Sequence, residues 1–132
     1  MTPEGQYQKG ENELGIEIKN DTLIKKYGNF YIEYAEKSKG SNTSFVKSGI
    51  LKDDNSIYFL IGDKSEFWIL KKSKLIEIYK EEKQNLKNKK RSKRGIKFKK
   101  IATSLGYVYP VKNASKNLIS LEEMVREVKM KK

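Results

Sequence analysis

Two short segments alternate apolar and charged residues with period two: Gly15-Ile16-Glu17-Ile18-Lys19-Asn20-Asp21 and Phe30-Tyr31-Ile32-Glu33-Tyr34-Ala35-Glu36-Lys37. That period selects β-strands over helices for both stretches. It sets Ile16 and Ile18 on one face of the first strand and Glu17, Lys19 and Asp21 on the other. In the second strand Phe30, Ile32 and Tyr34 share a face, with Glu33 and Lys37 opposite. Paired as a hairpin closed by residues 21–29, the strands bring Glu17 roughly opposite Glu33 and Lys19 beside Tyr31. Carboxylates and amines then converge on one patch. The same alternation also fits a solvated sheet face whose Glu–Lys pairs contribute little.

The rest of the chain supplies partners for these strands. Residues 1–13 are polar and glycine-punctuated and read as a loosely ordered segment. A turn-rich stretch, Lys39 to Thr43, precedes a third strand over Phe45 to Leu51. After the Asp53-Asp54-Asn55 turn, Ile57 to Ile61 and Phe67 to Leu70 flank a second turn at Gly62-Asp63-Lys64. Both are apolar on both faces, which predicts central strands covered on each side. Ser73 is placed to cap a helix from Lys74 to about Leu86, with Leu75, Ile76, Tyr79 and Leu86 inward. Tyr107 to Val111 predicts a last strand, at an edge because Pro110 lacks an N–H. Ser120 and Glu123 form a capping box for a final helix carrying Leu121, Met124, Val125 and Val128. The expected architecture is α+β: a mixed, mostly antiparallel sheet of five or six strands with two packed helices, in one domain spanning 1–132.

With 132 residues and neither cysteine nor histidine, the chain has no disulfide framework, thiolate or imidazole metal site, or Ser-His-Asp triad. Any metal must be a hard, oxygen-liganded cation such as Mg²⁺ or Mn²⁺. The longest apolar run, Ile57 to Ile61, is too short to span a bilayer. No secretory signal pattern opens the sequence, so no membrane partner and a cytoplasmic location are expected.

The formal net charge is +12. Much of it sits in one acid-free stretch holding Lys87, Lys89, Lys90, Arg91, Lys93, Arg94, Lys97, Lys99 and Lys100. Such a stretch points to a polyanion, DNA or RNA, gripped through its phosphates; a solvated loop is the plainer alternative. Residues 87–95 read as a mobile basic loop, and Ile96 and Phe98 suggest that the second half is a strand. Tyr31, Tyr34, Tyr58, Trp68, Tyr107 and Tyr109 offer either core or base-stacking surface, with Trp68 read as core. The Thr103-Ser104-Leu105-Gly106 turn is a weak phosphate-binding candidate.

Phosphodiester cleavage requires a cation held by carboxylates and a positive group near the scissile phosphate. Glu17, Asp21 and Glu33 are the metal-ligand candidates, with Glu11 or Glu13 as a further carboxylate. Glu17, Lys19, Glu33 and Lys37 are the catalytic candidates. The Glu17-Ile18-Lys19 triplet, Asp21 and the Glu33 strand resemble the core hairpin of the PD-(D/E)XK nuclease superfamily. Together with Ser48-Gly49-Ile50 and Thr103 to Tyr107, they are similar to small phage-type proteins of that group.

The resemblance implies a Mg²⁺-dependent nuclease cutting DNA or RNA in a bacterial host cell. Glu17 or Asp21 would be the first ligand and Glu33 the second, and Lys19 or Lys37 would supply the lysine. The chain departs from the family pattern at Ala35, where the lysine is expected, and has no amphipathic helix before Glu17. The alternative is a catalytically inactive, phage-encoded binding or inhibitor protein of counter-defence type, its basic face set against nucleic acid or a host nucleoprotein. An edge strand near Tyr107 would suit a homodimer.

Overall fold

A computed structural model describes residues 14–22, 24–37 and 44–130. Among these, eight strands form two four-stranded sheets, accompanied by three α-helices. The class is α+β as expected, but the strands number eight rather than five or six and divide between two sheets. The first sheet, in the order β1-β4-β5-β8, comprises Ile16–Asn20, Tyr58–Gly62, Phe67–Lys71 and Leu118–Ile119. The second, in the order β3-β2-β7-β6, comprises Val46–Lys47, Asn29–Glu36, Ser104–Pro110 and Lys97–Ile101. Helix α1 is a single turn, Ile24–Tyr27; α2 spans Lys72–Lys87 and α3 spans Leu121–Met130.

The expected hairpin does not form. Strand β1 pairs in parallel with β4, Glu17 beside Phe59 and Lys19 beside Ile61. Strand β2 lies in the other sheet, antiparallel to β3 and β7. The physical reason sits in the connection. Ile24 is buried in the core, and the Gly28 N–H closes the turn onto the Ile24 carbonyl at 2.6 Å. With this apolar residue anchored, the chain crosses from one sheet to the other between β1 and β2 instead of making a tight turn.

Phe30, Ile32 and Tyr34 face inward as the alternation predicts and meet Phe59, Ile61 and Leu70 of the first sheet. Helix α2 completes this core with Leu75 and Ile78. It begins at Lys72, without a side-chain cap from Ser73, and Leu86 is exposed. The opposite face of the first sheet, with Tyr58 and Ile69, is covered by Met124 and Val128 of α3. Strands β4 and β5 are therefore central and covered on both sides, as their composition requires. The Ser120 hydroxyl accepts the Glu123 N–H at 3.0 Å and caps α3.

Two other expectations change. The third strand shortens to Val46–Lys47, because the chain turns at Gly49 into a 3-10 helix, Gly49–Leu51. Strand β7 is central, between β2 and β6, so Tyr107 offers no dimer edge. Pro110 is its last residue, where a missing N–H breaks no interior rung. No helix of the described residues is long and apolar enough to cross a membrane.

Buried phenols give the fold an alkaline limit. The Tyr58 hydroxyl donates to Glu127 Oε1 at 2.5 Å; burial first, then this carboxylate, pushes its pKa up to about 12. Burial raises Tyr107 further still, its hydroxyl donating to the Leu75 carbonyl. Both groups are raised on folding, so their contribution is complete below the ordinary tyrosine value near 10 and is lost as pH rises through the folded values. Melting temperature is expected to hold up to about pH 10 and to fall steeply by pH 12, together with tyrosinate absorbance. A melting temperature level across that window would contradict the burial of these phenols.

Candidate functional site

Strand β1 turns its charged face inward. Glu17 and Lys19 lie on the same side as Phe59 and Ile61, which line the main core. Ile18, on the other side, is 71 % exposed. An edge strand placed for burial alone would do the reverse. The Glu17 carboxylate is held by Lys19 Nζ at 2.7 Å and accepts from the Ser56 hydroxyl at 3.5 Å.

Lys19 and Asp21 then meet Glu33 across the sheet boundary. A cavity of about 210 Å³ is lined by Lys19, Asn20, Asp21, Tyr31, Glu33 and Gly49, with Ile32, Phe59 and Ile61 behind. The crossover through α1 achieves this grouping. Glu33 is fixed from both sides: Ser48 donates to its Oε2 at 2.9 Å and Ser104 to its Oε1 at 2.6 Å. Tyr31 extends this chain, its hydroxyl 2.9 Å from Ser104 Oγ; the serine proton goes to Glu33, which makes the phenol the donor. Burial holds the Tyr31 phenol above its ordinary value.

The sequence-predicted residues divide accordingly. Lys19, Asp21 and Glu33 share the cavity; Glu17 touches it through Lys19. Lys37 does not line it, and its ammonium lies over the Phe45 ring at 4.7 Å. Glu11 and Glu13 lie outside the described residues. Among the described residues no group of three carboxylates is placed to hold a metal ion. A Mg²⁺ ion commonly takes only one or two protein carboxylates plus phosphate oxygens, and the pair Asp21 and Glu33 has that composition.

Sequence reading missed Ser48 and assigned Ser104 to a phosphate-binding turn. Ser104 instead opens β7 and orients Glu33. The available signal was glycine: Gly49 and Gly106 both lie where a neighbouring chain passes close, beside Glu33 and Tyr31 respectively.

The basic segment has two parts. Its second half is β6, an open edge strand with Lys97, Lys99 and Lys100 exposed. Ile96 and Phe98 anchor it: Ile96 is buried and Phe98 packs on the core. The first half links α2 to β6 and is fastened at several points. The Ile96 N–H donates to Ser92 Oγ, and Asn113 donates to the Arg94 carbonyl, each at 2.9 Å. The Arg94 guanidinium grips Glu82 at 2.9 Å and Glu81 at 2.6 Å. Of the nine cations, Arg94 is thus occupied within the fold. Among the described residues no carboxylate pairs with the other eight, Lys87, Lys89, Lys90, Arg91, Lys93, Lys97, Lys99 and Lys100.

Tyr58, Tyr107 and Tyr109 are fully buried and Tyr34 nearly so. Trp68 packs against the core edge-on to Phe30. Among the six aromatics proposed for stacking, Tyr31 alone projects from the outer face of the second sheet. In comparisons with known proteins, no family model, curated protein or solved structure matched this chain.

Proposed function

We propose that this protein binds nucleic acid through the sugar-phosphate backbone, using the edge strand β6 and the basic connection before it. The observation that carries this reading is the clustering, in one acid-free stretch, of cations without a carboxylate partner among the described residues. Lys19, Lys25, Lys71, Lys72, Lys74 and Arg94 each have a carboxylate partner. The other eight cations of 87–100 have none among the described residues; Lys97, Lys99 and Lys100 stand on the open edge strand β6, and the other five run from the end of α2 through the connection to it. Exposed, uncompensated lysines on a fixed strand suit phosphates at regular spacing, and counterion release makes the resulting affinity salt-dependent.

Fluorescence anisotropy across a salt series tests this. The affinity for DNA or RNA is expected to fall steeply with salt. Each of Lys97→Ala, Lys99→Ala and Lys100→Ala is expected to flatten the log–log slope by about 0.7–0.9. Binding that ignores salt, or no binding to either polymer, would overturn the proposal.

A second reading, cleavage, is favoured by the cavity that Lys19, Asp21 and Glu33 share, together with the resemblance of these residues to the PD-(D/E)XK superfamily. That resemblance rests on the residues alone, since β1 and β2 occupy different sheets. In this reading Asp21 and Glu33 would hold Mg²⁺ or Mn²⁺, with Lys19 at the phosphate. The cation would supply charge neutralisation and a more acidic water. Supercoiled plasmid, single-stranded DNA and structured RNA, incubated with Mg²⁺, Mn²⁺ or EDTA, test it. Metal-dependent nicking abolished by Glu33→Ala supports cleavage. Binding without nicking leaves the protein a non-cleaving binder, the form a counter-defence inhibitor would take.

A further inference from the structure

We propose that the outer face of the second sheet binds single-stranded nucleic acid by stacking an unpaired base on Tyr31; this rests on the backbone-binding reading above and narrows it to one class of polymer. The inference begins with Gly106, opposite Glu33 on β7. A Cβ added there would lie 2.5 Å from Tyr31 Cζ and 2.8 Å from its Cε1. The Tyr31 ring is therefore laid over the bare backbone at Gly106, and its hydroxyl is tied to Ser104 Oγ further along the same strand. One face of the ring is covered by the sheet, while the residue as a whole remains partly exposed. A ring held flat at both ends loses little side-chain freedom when a second ring settles on it.

The surroundings suit a nucleotide. A groove of about 390 Å³ adjoins Tyr31 and is lined by Tyr27, Asn29, Phe30, Lys99, Ile101 and Val108, together with the Asp21 carboxylate that it shares with the neighbouring cavity. Tyr27 is 60 % exposed and Ile101 45 %, large apolar surface that the fold leaves uncovered beside cations. Strand register sets Lys99 beside Gly106 and Lys97 beside Val108, on the face that carries Tyr31. Neighbouring strands are about 5 Å apart, so a base over Tyr31 brings its own backbone to the lysines of β6. Asn29 adds an amide at the groove wall. In a duplex the base faces stack on one another and are closed to this platform; an unpaired base presents its full face. An aromatic platform with cations along one side discriminates for single strands where lysines alone would not.

The test compares three labelled probes at one salt concentration: an oligothymidylate of about 12 nucleotides, an abasic strand of the same length, and a duplex. Anisotropy is expected to show the oligothymidylate bound at least tenfold more tightly than either of the others. Tyr31→Leu is expected to weaken it about tenfold, in line with a stacking loss of order 1–3 kcal/mol per base, while leaving abasic binding unchanged. Tyr31→Phe keeps the ring and should keep the preference. If Tyr31→Leu fails to fold, the exposed Tyr27→Leu serves instead, with a loss of about threefold expected on the base-bearing strand alone.

Equal affinity for abasic and base-bearing strands, or tighter binding of the duplex, would overturn this inference while leaving backbone binding in place. No binding to any of the three probes would overturn both readings.

Discussion

Gly49→Ala is expected to destabilise the protein by about 3 kcal/mol, lowering its melting temperature by on the order of 10 °C. Two effects combine. Gly49 has a φ of +52°, a left-handed conformation that costs an alanine about 1 kcal/mol. The added Cβ would also lie 2.0 Å from the Glu33 carbonyl oxygen and 2.7 Å from its carbon. Backbone cannot yield as a side-chain tip does, so the Ser48–Gly49 turn must lift off β2. That lift carries Ile50 out of the main core, where it is fully buried. It also breaks the Ser48 hydroxyl bond to Glu33 Oε2, releasing one side of the carboxylate that the cavity presents.

Gly28→Ala is the matched control. Gly28 has a φ of +70° but nothing within 4 Å of an added Cβ, so it isolates the backbone effect at about 1 kcal/mol. Thermal melts of the two variants side by side decide the matter. A Gly49→Ala protein no less stable than Gly28→Ala would mean that the turn does not press on β2, and the account of Glu33's orientation would fall with it.

Much of the fold was legible because some signals are local. The alternation of Phe30, Ile32 and Tyr34 states which face of β2 is buried. The unbroken apolar runs of β4 and β5 state that both their faces are covered, and the Asp63 turn joins them. Ile96 and Phe98 mark β6 inside a run of lysines. What escaped is pairing at a distance. Strand β1 lies eight residues before β2, and proximity alone argues for a hairpin. Its partner β4 lies beyond an excursion through the second sheet, and no local pattern near residue 16 encodes that. Ile24, an apolar residue in a supposed hairpin loop, was the available warning. Pro110 misled in the opposite sense, because a strand's final residue tolerates proline in the middle of a sheet.

The candidate site was legible in its members more than in its geometry. Lys19, Asp21 and Glu33 share a cavity, but across a sheet boundary and without Lys37. The hydroxyls that aim Glu33 come from Ser48 and Ser104, each brought in by a glycine-containing turn or strand with no charge pattern of its own. Charge patterning has a further blind spot: it counts cations without showing which are committed. Nine positive residues between 87 and 100 look alike in sequence. Arg94 differs only because α2 returns Glu82 and Glu81 to it from 12 and 13 residues upstream.

Arg94→Ala is therefore expected to act on stability before binding, with a loss of about 3 kcal/mol. Glu82 is only 3 % exposed, and its remaining partner is a weak contact from Asn85 Nδ2 at 3.5 Å. Removing the guanidinium strands a carboxylate in low dielectric, which is far more costly than removing an exposed ion pair. Glu81→Ala, which takes away the more exposed partner, should cost less than about 1 kcal/mol.

Two consequences follow from the burial of Glu82. Replacing both groups, as Glu82→Leu with Arg94→Leu, should recover much of the lost stability, since no uncompensated charge remains. The salt slope of nucleic-acid binding, measured below the melting transition, should change less for Arg94→Ala than for Lys99→Ala. The reverse pattern, an unchanged melt with a flattened salt slope, would place the Arg94 guanidinium on phosphate and not on Glu82.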